Sequence, residues 1–213
     1  KEQDPIRGVF AYVADGLLQP GEEAPAHQPQ LLPGQVKLKN INGDDKLNEE
    51  DMVLIGRNDP KFIFGFNNNF SYKNFDLNIY MYGQVGKIAG ANSYYDAWGS
   101  YGNRIKLGQN VPVSFKDAWS SDNQTSTRPS FIESAYGTGD LFLQKISFLR
   151  IRNITLGYTV PISKSICNRL RVYADVNNPC VWTNWKGQDP ETDSNTNAYP
   201  NVTSFSIGVD ISF

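Results

Sequence analysis

The sequence lacks any run of about 20 consecutive apolar residues, the length a membrane-spanning helix needs. That excludes a helical membrane protein but not a barrel, whose strands carry a far weaker hydropathy signal. Charge is sparse too. Charged residues make up 20% of the 213 and the net charge is −2, so there is no basic footprint for nucleic acid. No secretory leader is visible, because the chain opens on Lys1, Glu2, Gln3 and Asp4 with no apolar core behind them. A mature chain or a fragment is expected, and the strand count below favours the fragment. The one histidine, His27, lies in a Pro- and Gln-rich stretch that reads as solvated, and no nucleophile–base–orienter set assembles around it. Asp189 and Glu191 are paired carboxylates, but in a loop with no neighbouring pocket to infer. No enzyme is expected. Cysteine is limited to Cys167 and Cys180. Most residues between them read as one strand, which at ~3.3 Å per residue holds them roughly 30 to 40 Å apart. A disulfide needs Cα atoms within about 7 Å, so two free thiols are predicted.

What the sequence does have is aromatics, at 13%, and a period of two. In the last residues Phe205, Ile207, Val209, Ile211 and Phe213 share one face, opposite Ser204, Ser206, Gly208, Asp210 and Ser212. Upstream, Leu170, Val172, Ala174 and Val176 oppose Arg169, Arg171, Tyr173, Asp175 and Asn177, while Ile154, Leu156, Tyr158 and Val160 oppose Asn153, Thr155, Gly157 and Thr159. A hairpin is expected over 61–86. Its first arm points Phe62, Phe64, Phe66, Phe70 and Tyr72 one way and Ile63, Gly65, Asn67, Asn69 and Ser71 the other. The turn falls at Lys73 and Asn74, and the second arm sets Phe75, Leu77, Ile79 and Met81 against Asp76, Asn78, Tyr80 and Tyr82. The stretch 9–18 reads as a sixth strand.

Arms of about 9 to 13 residues suit tilted transmembrane strands, whereas soluble strands are nearer 5 or 6. Connections near 73–74 and 161–168 are short, and those near 19–60, 87–140 and 178–200 are long and polar. Within the first of these, 21–34 is expected to be an exposed loop. Short turns at one end and long loops at the other are the pattern of an outer-membrane barrel. The polar faces suit a wet interior, and Phe70, Tyr72, Phe75 and Phe213 gather at strand ends, where an interfacial girdle would sit. Phe205, Ile207, Val209, Ile211 and Phe213 also form the alternating end with terminal Phe that barrel-assembly machinery recognises in outer-membrane proteins generally. Six strands cannot close a barrel, and an open edge in lipid leaves backbone groups unsatisfied at several kcal/mol each. Further strands are expected elsewhere in the chain or on a partner. The sequons at Asn69 and Asn153 fall inside these strands and carry no weight as glycosylation sites.

Four runs carry a family resemblance: NINGDDKLNEEDMVLIGRNDPKFIFGFNNNFSYKNFDLNIYMYG at 40–83, FLRIRNITLGYTVP at 148–161, KGQDPET at 186–192 and YPNVTSFSIGVDISF at 199–213. In this order they resemble the C-terminal part of SusC/RagA-type TonB-dependent outer-membrane receptors. Asn178-Pro179-Cys180 departs from the pattern, where a run such as Asn-Leu-Phe is expected. The resemblance implies an all-β fold, a transmembrane antiparallel barrel of 22 strands to which 1–213 gives about the last six, with the plug domain upstream. It further implies import of oligosaccharides or oligopeptides, a SusD-like surface lipoprotein, and energy from the TonB complex.

Two groups of residues are candidate sites. Asn40, Asn42, Asp44, Lys46, Asn48 and Asp51 have the spacing of a calcium loop, although Asp45 stands where such loops carry glycine. Tyr94, Tyr95, Trp98, Tyr101 and Trp119 could stack on a ligand or anchor a partner, while Trp182 and Trp185 read as girdle residues. On the polar faces Asn67, Asn69, Asp76, Asn78, Arg169, Arg171, Asp175 and Asp210 would line the lumen. The rival reading is a secreted β-sandwich carbohydrate-binding module with a calcium loop. Solubility as a monomer without detergent would separate it from an importer.

Overall fold

The computed structural model describes residues 7–89, 107–108, 110, 113–131, 135–162, 167–187, 189–192 and 199–213. The chain divides into two units, one built on 7–58 and 88–144, the other on 59–87, 145–193 and 197–213. Among the described residues no helix is long and apolar enough to cross a membrane.

The second unit is one antiparallel sheet. Its strands are β5 (Phe62–Tyr72), β6 (Phe75–Ala89), β7 (Gln144–Val160), β8 (Arg169–Thr183) and β9 (Ser204–Ser212), in sequence order, with β5 and β9 at the edges. The β5–β6 hairpin pairs Tyr72 with Phe75 across Lys73 and Asn74, in the expected register. Lys73 takes the left-handed backbone that so tight a connection requires (φ 53°). Between β8 and β9 the pairs Val172↔Val209 and Ala174↔Ile207 alternate with Arg171↔Asp210 and Asp175↔Ser206, so each face is chemically uniform.

Among the described residues no layer packs on the apolar face. Phe205 is 76% exposed, Ile207 83% and Phe213 87%, and Phe62, Phe66, Phe70, Tyr72 and Phe75 are exposed as well. Burying such side chains is worth about 1.5–3 kcal/mol each. A contiguous exposed apolar face of this extent marks a surface made for another medium or partner. A soluble sandwich would have covered it.

The first unit corrects two expectations. The stretch 9–18 does not join the large sheet. It breaks into β1 (Gly8–Ala11), paired with β4 (Val53–Arg57), and β2 (Ala14–Leu17), paired with β3 (Val36–Leu38). These strands are too short to span a bilayer. The loop at 21–34 is not simply solvated either. Gln28 is buried, its Oε1 accepts from Leu38 N (2.7 Å), and Leu31 is buried beside it. Leu17, Val36, Leu38 and Trp119 form a small core. Gly34 (φ 83°) lies against the Trp119 ring, so a Cβ there would collide with it and with Ser130 Cβ at 2.9 Å.

Candidate functional site

The polar face of the sheet is held by side chains that reach across strands. Arg171 of β8 donates from Nε and Nη2 to both carboxylate oxygens of Asp76 on β6 (2.9 and 2.6 Å), and from Nη1 to Asp210 of β9 (2.9 Å). Its guanidinium also lies 5.1 Å from the Tyr173 ring centre. A two-toothed arginine–carboxylate pair fixes geometry as well as charge. The pair has to cross β7, and it does so over Gly157. A Cβ at that position would stand 2.5 Å from Arg171 Nε and 2.5 Å from Asp76 Oδ1.

Further along the same face Asp175 accepts from Asn153, from Thr155 Oγ1 (2.7 Å), from Asn177 (2.7 Å) and from Ser206 (3.4 Å). On the hairpin Asn78 donates to both Asn67 and Asn69 (2.8 and 2.6 Å). Seven of the eight polar-face residues expected from the period are therefore in networks, and Arg169 sits opposite Ser212.

At the loop end of the sheet Phe148 packs edge-on against Tyr82 (5.5 Å between ring centres). Tyr82 shares the face of Asp76 and Asn78. The buried run Ile146, Phe148 and Arg150 thus continues the polar side. Arg150, 2% exposed, pairs with Asp189 Oδ1 (2.8 Å) and with Glu191 Oε2 (2.6 Å). Asp189 also accepts from the backbone of Glu191 and of Asn201 (2.9 Å each). Burial raises the Asp189 pKa, but the two N–H groups and the Arg150 charge outweigh it and hold the carboxyl below its ordinary value. Residues 189–192 and Asn201 are therefore pinned to the polar side through Arg150. Sequence reasoning left these two carboxylates without a partner.

The pin is aided by a break in the β7–β8 ladder. Ile151 pairs with Cys180 and Asn153 with Asn177, leaving Arg152 opposite Asn178 and Pro179. Proline cannot donate to a ladder and belongs at such a bulge. Asn178 takes the left-handed backbone (φ 49°) and its Oδ1 accepts from Arg152 Nη1 (3.3 Å). The departure at Asn178-Pro179-Cys180 is thus a bulge inside β8, not a loop. Cys167 and Cys180 are both free, as expected.

The other sequence candidates fare differently. Tyr94, Tyr95, Trp98 and Tyr101 lie outside the described residues. Trp119 is in the core of the first unit, so it offers no exposed contact surface. Trp182 is exposed, opposite Leu149 in the ladder, whereas Trp185 is buried and is no girdle residue. His27 Nε2 meets Leu38 O (2.7 Å), a structural role rather than the solvated one expected. In the 40–51 loop the side chains serve the loop itself. Asn40 accepts from Gly43 N (2.5 Å), Asp44 from Lys46 N (3.0 Å) and Asn48 from Glu50 N (2.7 Å), with Asp45 supplying the left-handed turn (φ 58°). Asp51, fully buried, accepts from the backbone of Asn48, Ile41 and Asn42. The Asn48 N–H first, then those of Ile41 and Asn42, outweigh burial and lower its pKa. A cation would have to displace these bonds. Among the described residues no three His, Cys, Asp or Glu side chains stand together as a metal site.

No protein-family model matches the chain. TonB-dependent receptor P3 of Formosa agariphila is 27% identical over 236 aligned positions, covering all of this chain and 23% of the relative. TonB-dependent receptor SusC of Bacteroides thetaiotaomicron is 27% identical over 180, covering 81% of the chain and 17% of the relative. In fold, 97% of the chain matches 22% of a chain in the RagAB peptide transporter, with a TM-score of 0.75 at 22% identity. This chain aligns with a segment of SusC-type TonB-dependent receptors. It spans about a fifth of the curated relatives it matches. TonB-dependent receptors are outer-membrane transport proteins and not enzymes.

Proposed function

We propose that this chain forms part of the wall of an importer of oligosaccharides or oligopeptides, energised by TonB and working with a SusD-like surface lipoprotein. One observation carries the reading: a sheet with an uncovered apolar face and an ion-paired polar face. That is the division of a barrel wall between lipid and a wet lumen. The RagAB likeness supports the cargo class, since that protein is a peptide transporter. The segment then supplies strands of that wall, the connections between β6 and β7 and between β8 and β9 face outward from the cell, and Phe205, Ile207, Val209 and Ile211 lie on the lipid side of β9. The sandwich alternative would require a second layer over Phe205 and Ile207.

Cells making the full receptor should take up labelled oligopeptides or oligosaccharides only while TonB is intact. The lipoprotein should co-purify in detergent. Uptake of neither class, or uptake indifferent to TonB, would refute the proposal.

A further inference from the structure

The contacts that pin Asp189, Glu191 and Asn201 do more than bury Arg150. They leave one guanidinium only partly engaged. Arg150 is spent on Asp189 and Glu191 and is buried. Its neighbour Arg152 has a side chain 41% exposed. Among the described residues Arg152 bonds through Nη1 alone, to Asn178 Oδ1, Glu191 Oε2 and Asn201 Oδ1, each at 3.3 Å. These three oxygens come from the β8 bulge and from two points on the connection between β8 and β9.

Each is fixed in turn. Asn201 Nδ2 donates to the same Glu191 oxygen (2.8 Å), and its backbone N–H donates to Asp189. Asn178 Nδ2 donates to Val202 O (3.1 Å), and Thr203 Oγ1 donates to Asn178 O (2.8 Å). Three acceptors hold one nitrogen, so the planar fork is oriented while its Nε and Nη2 stay available. That is how an arginine is prepared for a two-toothed carboxylate. Within the cluster the formal charges of Arg150 and Arg152 cancel those of Asp189 and Glu191. An arriving anion thus meets a donor edge without a net opposing charge.

Resting on the importer reading, we infer that Arg152 is a specificity-determining residue that binds a carboxylate of the cargo at the loop end of the lumen. The carboxylate could belong to a peptide C-terminus or to an acidic sugar, and both offer the same two oxygens. Asn178, Glu191 and Asn201 are positioning residues.

The test uses the full receptor with its lipoprotein, purified in detergent. Two probe pairs are compared by calorimetry: a nonapeptide with a free C-terminus against its C-terminal amide, and a galacturonate trimer against a galactose trimer. At least one pair should favour the acid, and Arg152→Gln should erase about tenfold of that preference, weakening the acid probe more than the neutral one. The pair that shows the preference identifies the source of the carboxylate. Arg152→Lys, which keeps the charge but not the fork, should retain a smaller preference, and it carries the test if the Gln variant fails to fold. Equal loss for acid and neutral probes would make Arg152 merely structural and overturn the inference. So would acid and neutral probes bound equally by the wild type. Binding of neither pair would instead refute the importer reading on which it rests.

Discussion

Replacing Gly157 by alanine should loosen the sheet through residues on either side of it. The added Cβ would fall 2.5 Å from Arg171 Nε and 2.5 Å from Asp76 Oδ1, distances no carbon tolerates, so the pair must part. Two charge-assisted bonds to Asp76 are then stretched or lost, at 2.9 and 2.6 Å in the native sheet. Each is worth about 1.5–3 kcal/mol when well shielded. Asp76 is about one-third exposed and Asp210 more than half, so solvent screening reduces the sum to about 2 kcal/mol. Gly65 provides the control. It too lies on the polar face, but its Cβ would meet Tyr80 and Met81 only at ordinary contact distances of 3.6 Å and beyond. Gly65→Ala should cost less than about 0.5 kcal/mol. Both variants of the full receptor are read by urea titration in detergent, with folded barrel scored by its faster migration on unheated gels. Equal midpoints for the two would refute the idea that the Asp76–Arg171–Asp210 bridge depends on a side-chain-free position beneath it.

Three further outcomes follow from the same geometry. Ile207→Lys places a charge on the lipid face and should cost about 2–4 kcal/mol at mid-bilayer, whereas Ser206→Lys, beside Asp175 on the opposite face, should be tolerated; the same urea titration distinguishes them. Asp189→Asn leaves Arg150 buried with Glu191 alone and should release the connection at a cost of about 3 kcal/mol, seen as faster amide exchange at Glu191 and Asn201. Because the Asp189 carboxyl is held below its ordinary value, its contribution is complete above about pH 4. It is lost as the pH falls further, so acid should release the wild-type connection and leave the Asn variant unchanged. Asp51→Ala removes the acceptor of three backbone N–H groups, and the amides of Ile41, Asn42 and Asn48 should exchange about tenfold faster.

The division of faces could be read from sequence because it repeats. Each pair such as Ile207 and Ser206 states the same two environments, and five strands state them independently. The first unit could not be read that way. Its strands are three to five residues long, too short for a period to emerge, and its core uses Gln28, whose amide satisfies β3 from ten residues away. The Arg150–Asp189 pin joins positions 39 apart in sequence, with no local pattern to announce it. Two signals near it were nonetheless present. Pro179 inside a strand indicates a bulge, and the alternation of β7 changes phase between Arg150 and Asn153. The 40–51 spacing fits two readings for a physical reason: side chains that suit a calcium loop also suit a run of self-capped turns, because both need oxygens aimed inward at short intervals.

Whether the uncovered face meets hydrocarbon can be measured along β9. Single nitroxide labels at 204 to 211 in the full receptor, with Cys167 and Cys180 replaced by serine, report collisions with oxygen from lipid and with a nickel chelate from water. The account predicts high oxygen access at Phe205, Ile207, Val209 and Ile211, alternating with high chelate access at Ser204, Ser206, Gly208 and Asp210. A profile without that alternation, or one in which the four apolar positions are reached by neither probe, would contradict it.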